Sequence, residues 1–262
     1  MDAAPIDLVC AATKQKGHAV MAKRTHKVSA ELIRSIPLFD AASEESCAEL
    51  AAAATLRQAG ARAVLFGEGG SPDVLHIVMR GSAELFSEHD ERSCTVAVAA
   101  PVKPLALYAI FAKKYPLSAR ALEPAELIVL PAALVLELAA RDPAFGAALM
   151  QELASECHEL AEDFKNHRLR STIERVAHWM LRGDSKSGNT GRIVIPFGKR
   201  VLASYLGMAP EHLSRSFATL AASGVEVQGR SVVLGDREAL SEIARESVPE
   251  RFLQRRPPKK KR

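Results

Sequence analysis

The apolar positions of this chain change period from one stretch to the next, and each change predicts a different kind of element. From Ser29 the run SAELIRSIPLF reads as a short helix ended by Pro37, and a second helical pattern runs from Ser43, placed as an N-cap, through Glu44 to Leu56. Between Arg62 and Pro131 the helical spacing disappears. AVLF, DVLHIVMR, SAELFSE, CTVAVAA, LSARAL and AELIVL are strand-length runs, punctuated by Gly67, Gly69, Gly70, Gly81, Pro101, Pro116 and Pro124. Many short strands with turn residues between them predict a compact β barrel or roll. Asp142 and Pro143 then open a helix that continues to Asn166. On it Met150, Leu153, Cys157, Leu160 and Phe164 alternate spacings of three and four, an a/d seam that seeks a partner helix, while Phe145 and Leu149 lie one face over and suit packing on the chain's own strands. Arg170 to Leu181 reads as another amphipathic helix, carrying Ile173, Val176, Ala177, Met180 and the only tryptophan, Trp179; GDSKSGNTGR is a turn-rich loop before the short apolar run IVIP.

The next stretch, KRVLASYLGMAPEHLSRSFATLAASGVEVQGRSVVL, starts at Lys199. Val201, Leu202, Tyr205 and Leu206 share one helical face until Gly207 interrupts it, and Pro210 can occupy only the first turn of a following helix. In that second helix Leu213, Phe217 and Leu220 face a core, which groups Glu211, His212, Ser214 and Arg215 at the exposed N-terminal end. Gly224 stops it, and VEVQGRSVV folds back around Gln228, Gly229 and Arg230 as a short hairpin. Helix, tight turn, helix and hairpin make a winged helix-turn-helix, whose second helix presents its N-terminal end to base edges in the major groove. An ordinary helical hairpin has the same apolar spacing. The clustering of hydrogen-bonding residues at one helix end favours DNA. A last short helix is expected near Arg237 to Ala244.

Composition adds bounds. Apolar residues make up 48% and charged residues 25% of 262 residues, ordinary for a globular protein with room for two modest domains. The formal net charge of +4 becomes −3 once the seven basic residues after Glu250 are set aside, so attraction to nucleic acid must come from a local patch or from that tail. Residues 1–28 lack periodicity and are expected to form a flexible extension; 249–262 are expected to be a disordered basic tail. Cys10, Cys47, Cys94 and Cys157 fit no metal-ligand spacing and read as free thiols of a reducing cytoplasm. His158 and Glu162 are one turn apart but lie among other polar residues, which reads as a solvated face. Neither a signal peptide nor a membrane span is expected, and no P-loop, nucleophile elbow, His-Glu-x-x-His or dinucleotide fingerprint points to an enzyme.

The helix-turn-helix stretch resembles that of the bacterial cyclic AMP receptor protein/fumarate-nitrate reductase regulator (Crp/Fnr) superfamily. Its Glu211, Ser214 and Arg215 match the Glu-x-x-Ser-Arg of the fumarate-nitrate branch. LFGEGGSPDVLHIVMRGSAELF is similar to the cyclic-nucleotide-binding β-roll of the same superfamily. The resemblance implies a homodimeric, cytoplasmic transcription regulator that works with RNA polymerase as an activator at a TTGA-like palindrome. Glu211, Ser214 and Arg215 would read bases, while Lys199, Arg200, His212 and Arg230 would contact phosphates.

The fold expected is α+β: an N-terminal cyclic-nucleotide-binding-like β-roll over 29–141, a dimerisation helix over 142–167 and a winged helix-turn-helix over 168–248. In the resembled family a Gly-Glu pair and, further on, an Arg-Ser pair hold the cyclic nucleotide. Here Ala106 and Leu107, then Leu117 and Ser118, fall at those places, so the charged anchors are missing and cyclic AMP is not expected. With Cys10 alone near the N-terminus, an iron-sulfur cluster is not expected either. The closest match is the cluster-less, nitric-oxide-responsive type. His76, Met79, Tyr108 and Tyr115 are then candidate haem ligands, with a ligand-independent DNA binder of the same fold as the alternative.

Overall fold

A computed structural model of the chain describes residues 22–23, 28–90, 92–195 and 197–245. The first described elements are a two-residue strand β1 (Ala22–Lys23), helix α1 (Ala30–Arg34) and, after a single 3-10 turn over Pro37–Phe39, helix α2 (Glu44–Ala53). Ser29 and Ser43 cap the two helices, their side chains accepting from Leu32 and Ser46 N–H at 3.2 Å each. The helix expected to reach Leu56 ends at Ala53, because Thr55 begins strand β2 (Thr55–Ala59). Five consecutive partners on β9 (Ala125–Pro131), from Thr55 opposite Val129 to Ala59 opposite Ala125, outweigh one more turn of an alanine-rich helix.

Strands β3 (Val64–Phe66), β4 (Val74–Arg80), β5 (Ala83–His89), β6 (Arg92–Ala99), β7 (Lys103–Leu105) and β8 (Ser118–Ala121) complete the roll, with a 3-10 turn over Leu107–Phe111 between the last two. They form two antiparallel sheets in the orders β1-β2-β9-β4-β7 and β3-β8-β5-β6. Val78, Leu127 and Val129 of the first sheet meet Leu85, Ala119 and Ala121 of the second in a shared core. The other face of the first sheet, with Leu75, Ile77, Ile128 and Leu130, is covered by α1, α2, α3 (Ala132–Arg141) and the start of α4 (Pro143–Leu169). Strand β4 is therefore buried on both sides, which accounts for its nearly unbroken apolar run.

Helix α3 and strands β2 and β7 were not anticipated from the sequence. AELIVLPAALVLELAA is apolar almost throughout, so its strand-to-helix transition at Pro131 has no periodic signature. Asp142 organises the corner that follows. It caps α4 by accepting from Phe145 N–H at 3.2 Å, and it also accepts from Ser43 N–H at 2.8 Å and Ser46 Oγ at 2.9 Å, tying the start of α2 to the start of α4. The Ser43 and Phe145 amides, followed by the Ser46 hydroxyl, hold its carboxyl well below the usual range.

The C-terminal unit contains α5 (Thr172–Lys186), β10 (Arg192–Val194), α6 (Lys199–Tyr205), α7 (Pro210–Leu220), β11 (Glu226–Gln228), β12 (Ser231–Val233) and α8 (Arg237–Ala244). Its sheet runs β10-β12-β11. Helix α5 continues through Gly183 to Lys186, where a loop was expected, because its last turn is pinned from outside: the buried Asp184 pairs with Arg237 and accepts from Gly191 N–H at 2.8 Å. Val176, Met180, Leu202, Leu213, Phe217, Leu220, Val232 and Leu240 share one core.

Within the expected N-terminal extension, Ala22 and Lys23 pair with Gln58 and Arg57 of β2, and Val28 is buried. The remainder of that extension and the expected tail over 249–262 lie outside the described residues. No helix among the described residues is long and apolar enough to cross a membrane.

Candidate nucleic-acid interface and sensor cleft

Helices α6 and α7 meet at Gly207, whose backbone is left-handed at φ 63°. The left-handed backbone favours glycine, and a Cβ there would stand 2.8 Å from Nδ1 of the exposed His167 on α4, which would have to turn aside. Arg175 of α5 fastens the turn from below, its Nε donating to Leu206 O at 2.9 Å. Beyond the turn, Pro210 opens α7, and the helix buries Leu213, Phe217 and Leu220. That burial leaves Glu211, His212, Ser214 and Arg215 together on the exposed side of its first turns. The Ser214 hydroxyl donates back to Pro210 O at 3.1 Å. Lys199 and Arg200, also exposed, begin α6, and Lys199 Nζ lies 5.8 Å from the centre of the Phe217 ring, which brings the start of α6 against α7. Arg230, at the tip of the β11–β12 hairpin, is placed differently from the other basic residues. Its Nε donates to Ile195 O at 2.8 Å, and its Nη1 is 3.7 Å from Oε2 of Glu123 in the turn between β8 and β9.

The seam predicted on α4 is an exposed stripe in the single chain. Met150 is 65% exposed, Leu160 42% and Phe164 66%, and Cys157 is also exposed. Leu153 is partly covered by the helix-side core.

Between the roll, α4 and the C-terminal unit lies a cleft of about 470 Å³. Ala106, Tyr108 and Leu117 line it from the roll, Glu156 and Leu160 from α4, and Trp179 from α5. Leu107, expected with Ala106 at the first anchor place, instead packs into the helix-side core and is fully buried there. Burial pushes the Glu156 carboxyl up to about 7; nearby Glu152 adds to this, while the Leu107 and Tyr108 amides and Lys103 oppose it. Burial likewise raises the Tyr108 phenol.

The candidate haem ligands are not brought together. His76 points into the core between the two sheets, 5.4 Å from the Phe66 ring centre, whereas Met79 packs on the helix side of the same strand and Tyr108 lines the cleft. Tyr115 is buried and stacked on Phe66 at 3.9 Å, its hydroxyl donating to Val74 O. Parity was the missed signal: residues three apart on a strand face opposite ways. Burial, with the nearby Arg57 charge, lowers His76 to about 4 and keeps the ring neutral. Of the four, Tyr108 is the one that lines the cleft.

Sequence reasoning also missed a set of polar links between the roll and the C-terminal unit. Ser204 of α6 accepts from the Thr95 N–H of edge strand β6 at 2.9 Å. Glu159 of α4 meets Lys103, Arg182 and Lys186 at 3.6, 3.3 and 3.0 Å, and Arg182 also reaches Asp163 at 2.9 Å. Arg120, two residues after Ser118, is committed to the buried Glu84 at 2.6 Å, which also accepts from Thr95 Oγ1 at 2.7 Å. Partners so far apart in the chain leave no local signature.

Two domain families match this architecture: the Cyclic nucleotide-binding domain over residues 56–142 and the Crp-like helix-turn-helix domain over 174–243. The chain is 24% identical over 187 residues to the transcriptional activator protein FnrA of Stutzerimonas stutzeri, covering 69% of this chain and 76% of that one. Among solved structures, FixK2 from Bradyrhizobium japonicum superposes with a TM-score of 0.68 at 21% identity, covering 74% of this chain and 99% of its own. A CooA variant from Carboxydothermus hydrogenoformans gives 0.63 at 14% identity, with coverage of 72% and 87%. With a nucleotide-binding-type roll, a long helix and a helix-turn-helix in that order, the chain belongs to the Crp/Fnr superfamily of DNA-binding transcription regulators.

Proposed function

We propose that this regulator acts as a cytoplasmic homodimer that reads a TTGA-like palindrome and activates transcription with RNA polymerase. The observation that carries the reading is the exposed group Glu211, Ser214 and Arg215 on the first turns of a helix whose opposite face is buried. Arg is suited to bidentate pairing with guanine O6 and N7, and a carboxylate can accept from cytosine N4. Lys199, Arg200, His212 and Arg230 contact phosphates in this reading, setting register without reading sequence. The stripe of Met150, Cys157, Leu160 and Phe164, exposed, with the half-buried Leu153 among them, supports pairing of two α4 helices, which would set two recognition helices about 34 Å apart, one turn of DNA. The working parts divide into a sensor over 29–141, a dimerisation helix over 142–167 and a DNA-binding unit from 168 on.

Control is independent of cyclic AMP and of an iron-sulfur cluster. Ala106 and Leu117 offer the cleft no charged donor, and the cations that line it, Lys103, Arg182 and Lys186, are paired with Glu159. Cys47, Cys94 and Cys157 sit on three separate elements, α2, β6 and α4.

Binding-site selection with the wild type and Arg215→Ala tests the base-reading assignment. The variant should lose about 1–3 kcal/mol against the preferred site and flatten discrimination at one position, whereas Lys199→Ala should weaken all sequences alike. An unchanged sequence preference for Arg215→Ala would remove Arg215 from the reading set.

A further inference from the structure

Strand β6 is the outer strand of its sheet, so its outward backbone groups have no neighbouring strand to pair with. One of them, the Thr95 N–H, is met by Ser204 Oγ of α6 at 2.9 Å. Nearby, Val98 of β6 and Leu122, in the turn before β9, pack against the core of the C-terminal unit. In that same turn Glu123, steadied by the Ser82 hydroxyl at 3.0 Å, faces Arg230 Nη1 at 3.7 Å. The helix-turn-helix is thus seated on its own sensor through its first helix and its hairpin tip. In such a unit the first helix crosses the DNA backbone, and the hairpin tip carries Arg230, proposed above as a phosphate contact.

We propose that this seating is a self-inhibited position in which the Glu123 carboxylate takes, on Arg230, the place of a DNA phosphate. The proposal rests on the reading of Arg230 as a phosphate contact. The chemistry of the two partners is the same: a guanidinium held through Nε by Ile195 O turns Nη1 to an anionic oxygen, and a phosphate arriving at that nitrogen is repelled by the carboxylate already there. The strength also suits a latch. An ion pair this open to solvent is weak, so phosphates on a bound duplex can displace the carboxylate, while the apolar contacts of Val98 and Leu122 keep the position populated without DNA. DNA binding and seating on the sensor then compete for Arg230, and anything that loosens the seat raises DNA affinity.

The test is a double-mutant cycle on the full chain, read as the dissociation constant for a selected operator duplex by fluorescence anisotropy at fixed salt. Glu123→Gln keeps size and removes charge; it should tighten binding roughly 1.5- to 5-fold, the range expected for losing an exposed ion pair. In an Arg230→Ala background the same change should have no effect. If Glu123→Gln tightens binding equally in both backgrounds, the gain is general charge reduction and the latch is overturned. It is also overturned if Glu123→Gln changes nothing while Arg230 is present. Arg230→Ala made in the Glu123→Gln background, where no latch operates, should weaken binding; an unchanged constant there refutes the phosphate role of Arg230 itself.

Discussion

The phenolic hydroxyl of Tyr205 donates to Asp163 Oδ2 at 2.7 Å, joining the first helix of the helix-turn-helix to the long helix α4. Burial first, and then the Asp163 charge, raise the phenol well above its ordinary value, so it remains a donor throughout the physiological range. Asp163 also takes Arg182 at 2.9 Å and so keeps a partner if the hydroxyl is removed. Tyr205→Phe should therefore cost only about 1 kcal/mol, the net worth of one hydrogen bond, and lower the melting temperature by about 2–4 °C. A calorimetric scan checks this; a drop several times larger would mean that Asp163 loses Arg182 as well.

Dimerisation through α4 is best tested at the ends of the stripe. Leu153 is partly covered by the chain's own core, so Leu153→Asp would damage folding together with any interface. Met150 and Phe164 are 65% and 66% exposed, so Met150→Asp combined with Phe164→Asp should yield a folded monomer whose melting temperature no longer depends on protein concentration. Sedimentation velocity reads the outcome, and a double variant that remains dimeric would place the interface elsewhere.

The buried His76 and the half-buried Glu156 should tilt stability with pH in opposite directions. His76 is lowered to about 4 in the folded chain, so as pH falls from about 6.5 the unfolded chain takes up the proton first and stability drops towards pH 4. Glu156 is raised to about 7, so the folded chain holds its proton longer; stability is fullest below about 4.5 and declines as pH rises to 7. His76→Phe should flatten the acid side of the stability profile, and Glu156→Gln should raise stability most above pH 7. Denaturant midpoints from pH 4 to 8 measure both effects. A Glu156→Gln gain that is the same at pH 5 and pH 8 would rule out titration of this carboxyl.

Cyclic AMP at millimolar concentration should leave the melting temperature unchanged. A ligand that binds only the folded chain must stabilise it by mass action, and Ala106 and Leu117 provide no charged partner for a buried phosphodiester. A saturable upward shift would show that the cleft supplies an anion donor from another residue.

What the sequence determined by itself was everything set by a local repeat. The strand-length runs, the α4 seam, the Gly207 turn, the α7 face and the β11–β12 hairpin follow from backbone periods of two and 3.6, which act over a few residues. Only the tertiary structure decided which way the shared groups went. Leu56 and Thr55 became strand because β9 was available as a partner, and Leu107 turned into the helix-side core rather than the cleft. Arg230 found Glu123, and Ser204 found Thr95 across 109 residues. Such pairings carry no periodic trace, because a side chain's choice between solvent, DNA and a distant carboxylate is set by the packing that brings one of them within reach.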